Sequence, residues 1–296
     1  KKLEDFDDSE MESIKKENMS HIEKSFLIKK LIENCAGMYF DEVHHCPSKT
    51  AESIIKKSTN CYYLFGGSAT PIRADNADLY MEGLFGRKVC EINASFLIRK
   101  GFLMKPDIYY IRLKNIGSTS SSFDQDVKDN IINNEERNRH IAHIAKSLSD
   151  NGMSVLVLVG RVEHGNLLEK MIPGSKFVYS KTKERKEIFE DLKTKKVKVV
   201  IASTLADEGL DIPTLNCVIL GGGGKSPTKC KQRVGRAIRK VKGKVGSMIF
   251  DFIDVGLHTK KHSKSRKKLL ESEPEFNVIE IDSFEKVDCQ TGKNLF

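Results

Sequence analysis

Val155-Leu-Val-Leu-Val159 is apolar at five consecutive positions. A strand with one wet face alternates polar and apolar residues. An unbroken run therefore marks a strand covered on both faces, as in parallel sheets layered between helices. Similar short apolar runs lie at 38–40, 61–65, 108–111, 177–179, 197–202, 217–220 and 247–253, and helical spacing fills much of the intervals, at 9–35, 49–57, 129–148, 163–172, 182–194 and 228–240. Parallel neighbours need a long crossover, usually a helix, so this order predicts an α/β chain with parallel sheets. Two such units are expected in tandem, 1–105 and 106–274, with 275–296 adding an edge strand at 278–281 and a tail. Gly117 to Ser122 reads as a flexible insertion or surface loop.

The 296 residues carry a net charge of +9, but fifteen Lys or Arg face only Asp251 and Asp254 between Lys225 and Lys268, a local excess of +13. The remainder is therefore acidic, and a localised basic stretch favours a polyanionic partner such as nucleic acid more than a high overall pI does. No stretch approaches the roughly 20 apolar residues of a membrane span, and the opening Lys1 to Asp8 lacks the apolar core of a signal peptide. The seven cysteines include no C-x-x-C pair, which argues against a disulfide framework or a zinc ribbon. A reducing cytoplasm is expected.

Four clusters carry chemistry. Asp41-Glu42-Val43-His44 follows an apolar strand, where one acid can hold Mg²⁺ and its neighbour can orient a water. A rival metal cluster of Asp41, His44, His45 and Cys46 is disfavoured, because sequence neighbours point apart and no distant His or Cys pair completes the set. Ser68-Ala69-Thr70 puts two hydroxyls at the next strand end. Ala202-Ser203-Thr204-Leu-Ala-Asp207-Glu208-Gly209-Leu-Asp211-Ile-Pro213 offers hydroxyls for a backbone phosphate and an acid for a ribose. In Gln232-Arg233-Val-Gly235-Arg236-Ala-Ile-Arg239, a continuous helix would bring Gln232, Arg236 and Arg239 onto one face, at i, i+4 and i+7.

In this order, D-E-x-H, S-A-T, A-S-T-L-A-D-E-G-L-D-I-P and Q-R-x-G-R-x-x-R resemble motifs II, III, V and VI of the superfamily 2 helicases. The flanks Val159 to Gly165, Leu220 to Ser226 and Leu84 to Gly86 are similar to XPB-like and phage-type DNA repair and recombination helicases, with restriction translocases as cousins. The resemblance covers about residues 35–255. It implies two RecA-like domains in tandem, the first incomplete at its N-terminus, and an ATP-dependent motor using ATP and Mg²⁺. By the same resemblance Asp41 holds Mg²⁺ and Glu42 is the base, while His44, Ser68 and Thr70 couple nucleotide state to movement. Gly209 and Asp211 meet the nucleotide, Gln232, Arg236 and Arg239 reach the γ-phosphate, and Ser203 and Thr204 contact a nucleic-acid strand. Ser203 stands where the family usually has Thr, and Gly67 where Leu is common.

No G-x-x-x-x-G-K-[ST] loop precedes Asp41, and Gly224-Lys225-Ser226 does not supply one because position 219 is Ile. This chain alone is therefore expected to hydrolyse ATP poorly. The expected partner is DNA, single-stranded or branched, in repair, recombination or replication. A duplex translocase of a restriction complex, an RNA helicase and a non-hydrolysing nucleic-acid-binding module stay open as alternatives.

Overall fold

The computed structural model describes residues 21–43, 46, 48–68, 78–115, 117–120, 122–203, 212–224, 230, 234–235, 238–241, 244 and 246–287. The chain divides into two compact units, Lys1–Glu91 and Ile92–Phe296. Among the described residues, no helix is long and apolar enough to cross a membrane.

In the first unit α1 (His21–Asn34) precedes β1 (Gly37–Phe40), then α2 (Lys49–Lys57), β2 (Tyr63–Gly66) and α3 (Asp78–Phe85). The part of the expected first helix before His21 lies outside the described residues. Local chemistry sets α2: the Ser48 hydroxyl accepts the Ala51 N–H, Glu52 sits in the first turn and Lys56 and Lys57 in the last. β1 and β2 pair in parallel, Gly37 opposite Tyr63 and Phe40 opposite Gly66.

The second unit is a three-layer sandwich. Its seven parallel strands run in the order β5-β6-β4-β7-β8-β3-β9: β3 (Asp107–Arg112), β4 (Val155–Val159), β5 (Lys176–Val178), β6 (Val199–Ser203), β7 (Cys217–Ile219), β8 (Met248–Ile253) and β9 (Asn277–Ile281). β4 and β6 are buried at every position, as unbroken apolar runs require. One face, with Tyr109, Val157 and Ile201, packs on α6 (Glu135–Asp150) and α7 (Val162–Met171) through Ile141, Ile144, Leu148 and Leu168. The other, with Ile108, Leu156 and Val200, packs on α8 (Arg185–Lys193) and α9 (Leu257–Glu271) through Phe189, Leu192 and Leu270.

Four expectations change. The boundary expected near 105 falls at 91/92: α4 (Ala94–Arg99) sends Ala94 and Ile98 into the second unit's core, and Ser95 Oγ bonds to Glu273 Oε2 at 3.0 Å. The loop starting at Gly117 is tied down: Ser118 N–H donates to Asn130 Oδ1 at 2.9 Å, and a Cβ on Gly117 would meet Val255 carbonyl atoms at 2.7 Å. Asn130 sits on a π-helical turn, Lys128–Ile132, between α5 (Phe123–Val127) and α6, so the helix expected over 129–148 is interrupted. Finally, α9 runs through the lysine-rich stretch, where no helix was expected.

Candidate functional site

In the first unit the chain leaves β1 through Asp41 and Glu42. Glu42 takes φ +49°, a left-handed conformation that costs a residue with a Cβ of order 1 kcal/mol or more. Its N–H donates to Asp41 Oδ1 at 2.8 Å. The turn is locked to the exit of β2: Val43 N–H donates to the Gly67 carbonyl, and Gly67 N–H to the Phe40 carbonyl, each at 2.9 Å. Val43 is buried, and a Cβ on Gly66 would lie 2.7 Å from its Cγ2. Gly67 has a local explanation, since a Cβ there would sit 1.8 Å from Tyr39 Oη, so the tyrosine occupies the space of a side chain at 67. Asp41 is exposed, while Glu42 and Ser68 are half-buried. His44 and Thr70 lie outside the described residues.

Among the described residues, no three His, Cys, Asp or Glu side chains converge on a metal site. Mg²⁺ is commonly held by one or two carboxylates together with substrate phosphates. The exposed Asp41 carboxylate is such a donor.

In the second unit the strand order reverses between β4 and β7, and open parallel sheets bind ligands at the carboxyl ends of strands beside such a reversal. Gly160 and Arg161 follow β4, and Leu220 to Gly224 follow β7. These two turns touch through backbone: a Cβ on Gly222 would meet Gly160 N at 2.6 Å and Val159 C at 3.0 Å. Gly223, at φ +57°, packs on Ile131.

A buried charge cluster holds this rim from both helical layers. Arg137 of α6 donates Nε to Asp254 Oδ1 at 3.1 Å, Nη1 to the Gly221 carbonyl at 2.5 Å and Nη2 to the Leu220 carbonyl at 3.3 Å. Its guanidinium also lies 4.3 Å from the Phe252 ring centre. From the other layer, Arg266 of α9 forks onto Asp251 with two bonds of 2.8 Å, reaches Asp254 Oδ2 at 3.3 Å and donates to the Gly224 carbonyl at 2.9 Å. Burial pushes the Asp254 carboxyl up, against the pull of both guanidiniums. Burial would lower Arg266, but Asp251 outweighs it and the net direction is up. Both arginines stay charged. Beside the cluster, His164 pairs its Nε2 with Asn138 Oδ1 at 2.9 Å, and burial lowers its pKa to about 3.

Of the expected residues here, Ser203 closes β6 and is only 6% exposed, so its hydroxyl presents little surface to a strand. Arg239 is the one member of its expected helical face among the described residues. It follows a turn at Ile238 and bridges Leu103 in antiparallel fashion, with Met104 N–H on the Ile238 carbonyl at 2.8 Å. Backbone pairing with the 103–104 segment ends the helix before Lys240, and the Arg239 side chain is exposed. Cys230, Val234 and Ile238 are buried against the core. Thr204, Gly209, Asp211, Gln232 and Arg236 lie outside the described residues. Arg137, Asp251, Asp254 and Arg266 escaped the sequence reading, although an Asp inside the apolar run Met248-Ile-Phe-Asp-Phe-Ile253 signalled a buried cationic partner.

A parallel sheet between helical layers, with its strand ends lined by glycine turns, is the doubly wound α/β architecture that RecA-like domains share. Residues 128–241 match the helicase conserved C-terminal domain family. The chain is 34% identical over 275 residues to the protein called helicase 22 in Sulfolobus islandicus filamentous virus, covering 85% of this chain and 48% of that protein. It is 29% identical over 261 residues to the protein called ATP-dependent RNA helicase L396 in Acanthamoeba polyphaga mimivirus (84% and 49%). Identity is 26% over 249 residues to the ATP-dependent DNA helicase uvsW of Enterobacteria phage T4 (78% and 48%). The chain thus spans about half the length of these relatives. Among solved structures, an HsdR subunit fragment of a type I restriction enzyme from Vibrio vulnificus superposes with TM-score 0.62 at 19% identity, over 88% of this chain and 51% of that one. The S. cerevisiae Dbp5 structure with RNA and ADP BeF3 gives 0.55 at 15%, over 86% and 63%. Residues 128–241 thus carry a helicase conserved C-terminal domain, the chain is similar over most of its length to helicases of superfamily 2, and its fold is that of two RecA-like units in tandem.

Proposed function

We propose that this chain is the greater part of the motor of an ATP-dependent DNA helicase or translocase that moves along or remodels DNA in repair, recombination or replication. The observation that carries the reading is the Asp41-Glu42 turn, set on a left-handed residue and tied to the S-A-T strand exit by two backbone hydrogen bonds. A carboxylate pair on a backbone-tied turn at a strand end suits phosphoryl transfer, where catalysis is mostly positioning and charge stabilisation. Asp41 would hold Mg²⁺, which when bound neutralises charge on the phosphoryl oxygens. Glu42 takes the proton of the attacking water. Because Gly67 is hydrogen-bonded to both Val43 and Phe40, a shift of the turn is passed to Ser68, and in this reading His44, Ser68 and Thr70 relay nucleotide state. Gly209 and Asp211 bind the nucleotide, Gln232, Arg236 and Arg239 meet the charge on the γ-phosphate, and Ser203 and Thr204 touch the strand.

The test is ATP turnover by the natural full-length protein, since residues 1–296 hold no G-x-x-x-x-G-K-[ST] loop and should turn over poorly by themselves. Single-stranded DNA, branched DNA and RNA are compared as stimulants, with Glu42→Gln and Arg236→Ala as variants. DNA-stimulated turnover that falls at least about a thousandfold in Glu42→Gln, with DNA binding retained, supports the motor. Stronger stimulation by RNA replaces DNA with RNA as the track. Tight nucleic-acid binding without turnover under any condition replaces the motor with a binding module. Strand displacement separates a helicase from a duplex translocase.

A further inference from the structure

Helix α9 buries Thr259, Ser263, Arg266 and Leu270, which recur at i, i+4, i+7 and i+11. At 100° per residue, Lys260, Lys261, Lys264 and Lys268 cluster on a flank turned away from that stripe, and all four are exposed. They span about 12 Å of helix. Lys267, on the neighbouring flank, is neutralised by Glu271 at 2.9 Å and Glu280 at 2.7 Å. None of the other four has a carboxylate within ion-pair distance among the described residues.

This face is unlike the other exposed helices of the unit. On α6, Lys146 pairs with Asp150, and on α8, Lys193 pairs with Glu190, so signs alternate and neighbours attract. On α9, lysines stand at i and i+4 twice, an arrangement that destabilises a helix. The first turn carries no acid, although the positive end of the helix dipole favours one. A carboxylate from another element compensates: Asp126 of α5, fully buried, accepts the His258 and Thr259 N–H groups at 2.5 and 3.1 Å. The opposite flank is closed by Phe123 against His258 and His262. A helix capped from outside, whose free face carries four like charges with no ion-pair partner among the described residues, suits a polyanion. Arg266 further ties this helix to the Gly224 carbonyl, on the loop leaving β7 at the strand-end rim.

We propose that Lys260, Lys261, Lys264 and Lys268 form a contact for the nucleic-acid phosphate backbone, outside the helicase motifs. It rests on the nucleic-acid partner of the preceding section. The contact is sequence-independent and adds grip without touching the nucleotide chemistry. Phosphate neutralisation releases counterions, so each contacting lysine adds a measurable increment to the salt dependence of binding.

The test uses the natural full-length protein carrying K260Q, K261Q, K264Q and K268Q together. A control removes the same charge at the exposed Lys170, Lys176, Lys186 and Lys198. Binding of a single-stranded and a duplex oligonucleotide of mixed sequence is measured from 50 to 300 mM salt, with thermal melting to verify folding. In the α9 variant, affinity should fall at least about tenfold at low salt, and the slope of log K against log[salt] should flatten by about 2 to 3. The control should keep the wild-type slope. The DNA concentration for half-maximal ATPase stimulation should rise while the saturated rate stays the same. A wild-type slope in the α9 variant, or equal flattening in the control, overturns the proposal, and the first result would leave the face to an acidic protein. Failure of the wild-type protein to bind any nucleic acid would instead overturn the preceding reading. If the quadruple variant melts early, the paired variants K260Q/K264Q and K261Q/K268Q carry the test, each flattening the slope by about half as much.

Discussion

Replacing Arg266 by Met tests the buried charge cluster directly. The change removes both bonds to Asp251, the bond to Asp254 and the donor to the Gly224 carbonyl, while Met roughly preserves the apolar stem. Both carboxylates are fully buried, and only Asp254 keeps an arginine. Removing one partner from such a cluster costs about 3–5 kcal/mol, because the penalty is that of an uncompensated buried charge. For a unit of this size, about 4 kcal/mol lowers Tm by about 8–16 °C. The deficit should depend on pH with a definite sign. Burial already pushes the Asp254 carboxyl up in the intact cluster, and losing a guanidinium raises it further. An acid whose folded pKa exceeds its unfolded value binds more protons when folded. Stability is therefore lost as pH rises through that interval and regained as it falls. Melting followed by circular dichroism from pH 5 to 8 should show the deficit largest at pH 8. Asp251→Asn in the same chain should restore part of the loss, because Asn still accepts the Phe252 N–H that now bonds to Asp251 Oδ1 at 2.8 Å. A variant melting within about 2 °C of wild type at pH 7.5, or a deficit flat with pH, would refute the reasoning.

Gly222→Ala should cost about 1–3 kcal/mol in urea denaturation, since its Cβ would strike backbone atoms of Gly160 and Val159 that cannot swing aside. Gly224→Ala, whose Cβ would meet nothing within 4 Å among the described residues, is the neutral control. His164, with its pKa lowered to about 3, is neutral in the fold and protonates more readily when unfolded. Its contribution is intact above about pH 6.5 and is lost at about 1.4 kcal/mol per unit as pH falls toward 3. His164→Gln should therefore flatten the stability slope between pH 6 and 4 by about one proton, and an unchanged slope would exclude burial as the cause.

Period and local chemistry were legible along the chain. The runs at 155–159 and 197–202 became strands buried at every described position of β4 and β6, and 49–57 became a helix with the expected bounds. Asp41 and Glu42 do follow a strand directly, and Gly67 and Ser68 follow its parallel neighbour. These features depend on residues a few positions apart, which a sequence displays side by side. Partner choice does not. Read along the chain, Arg266 was one more charge in a basic run, yet it is buried against Asp251 while Lys264 and Lys268 beside it stay in water. Arg239 bridges Leu103, 136 positions earlier, and the unit boundary moved because Ile98 and Ser95 found partners far along the chain. Apolar periodicity and motif order determined the α/β class and the family. Which charges are buried, which glycines touch backbone and where one unit stops depended on contacts such as Arg137 with Asp254, separated by 117 residues, and these exist only once the sheet has brought its strand ends together.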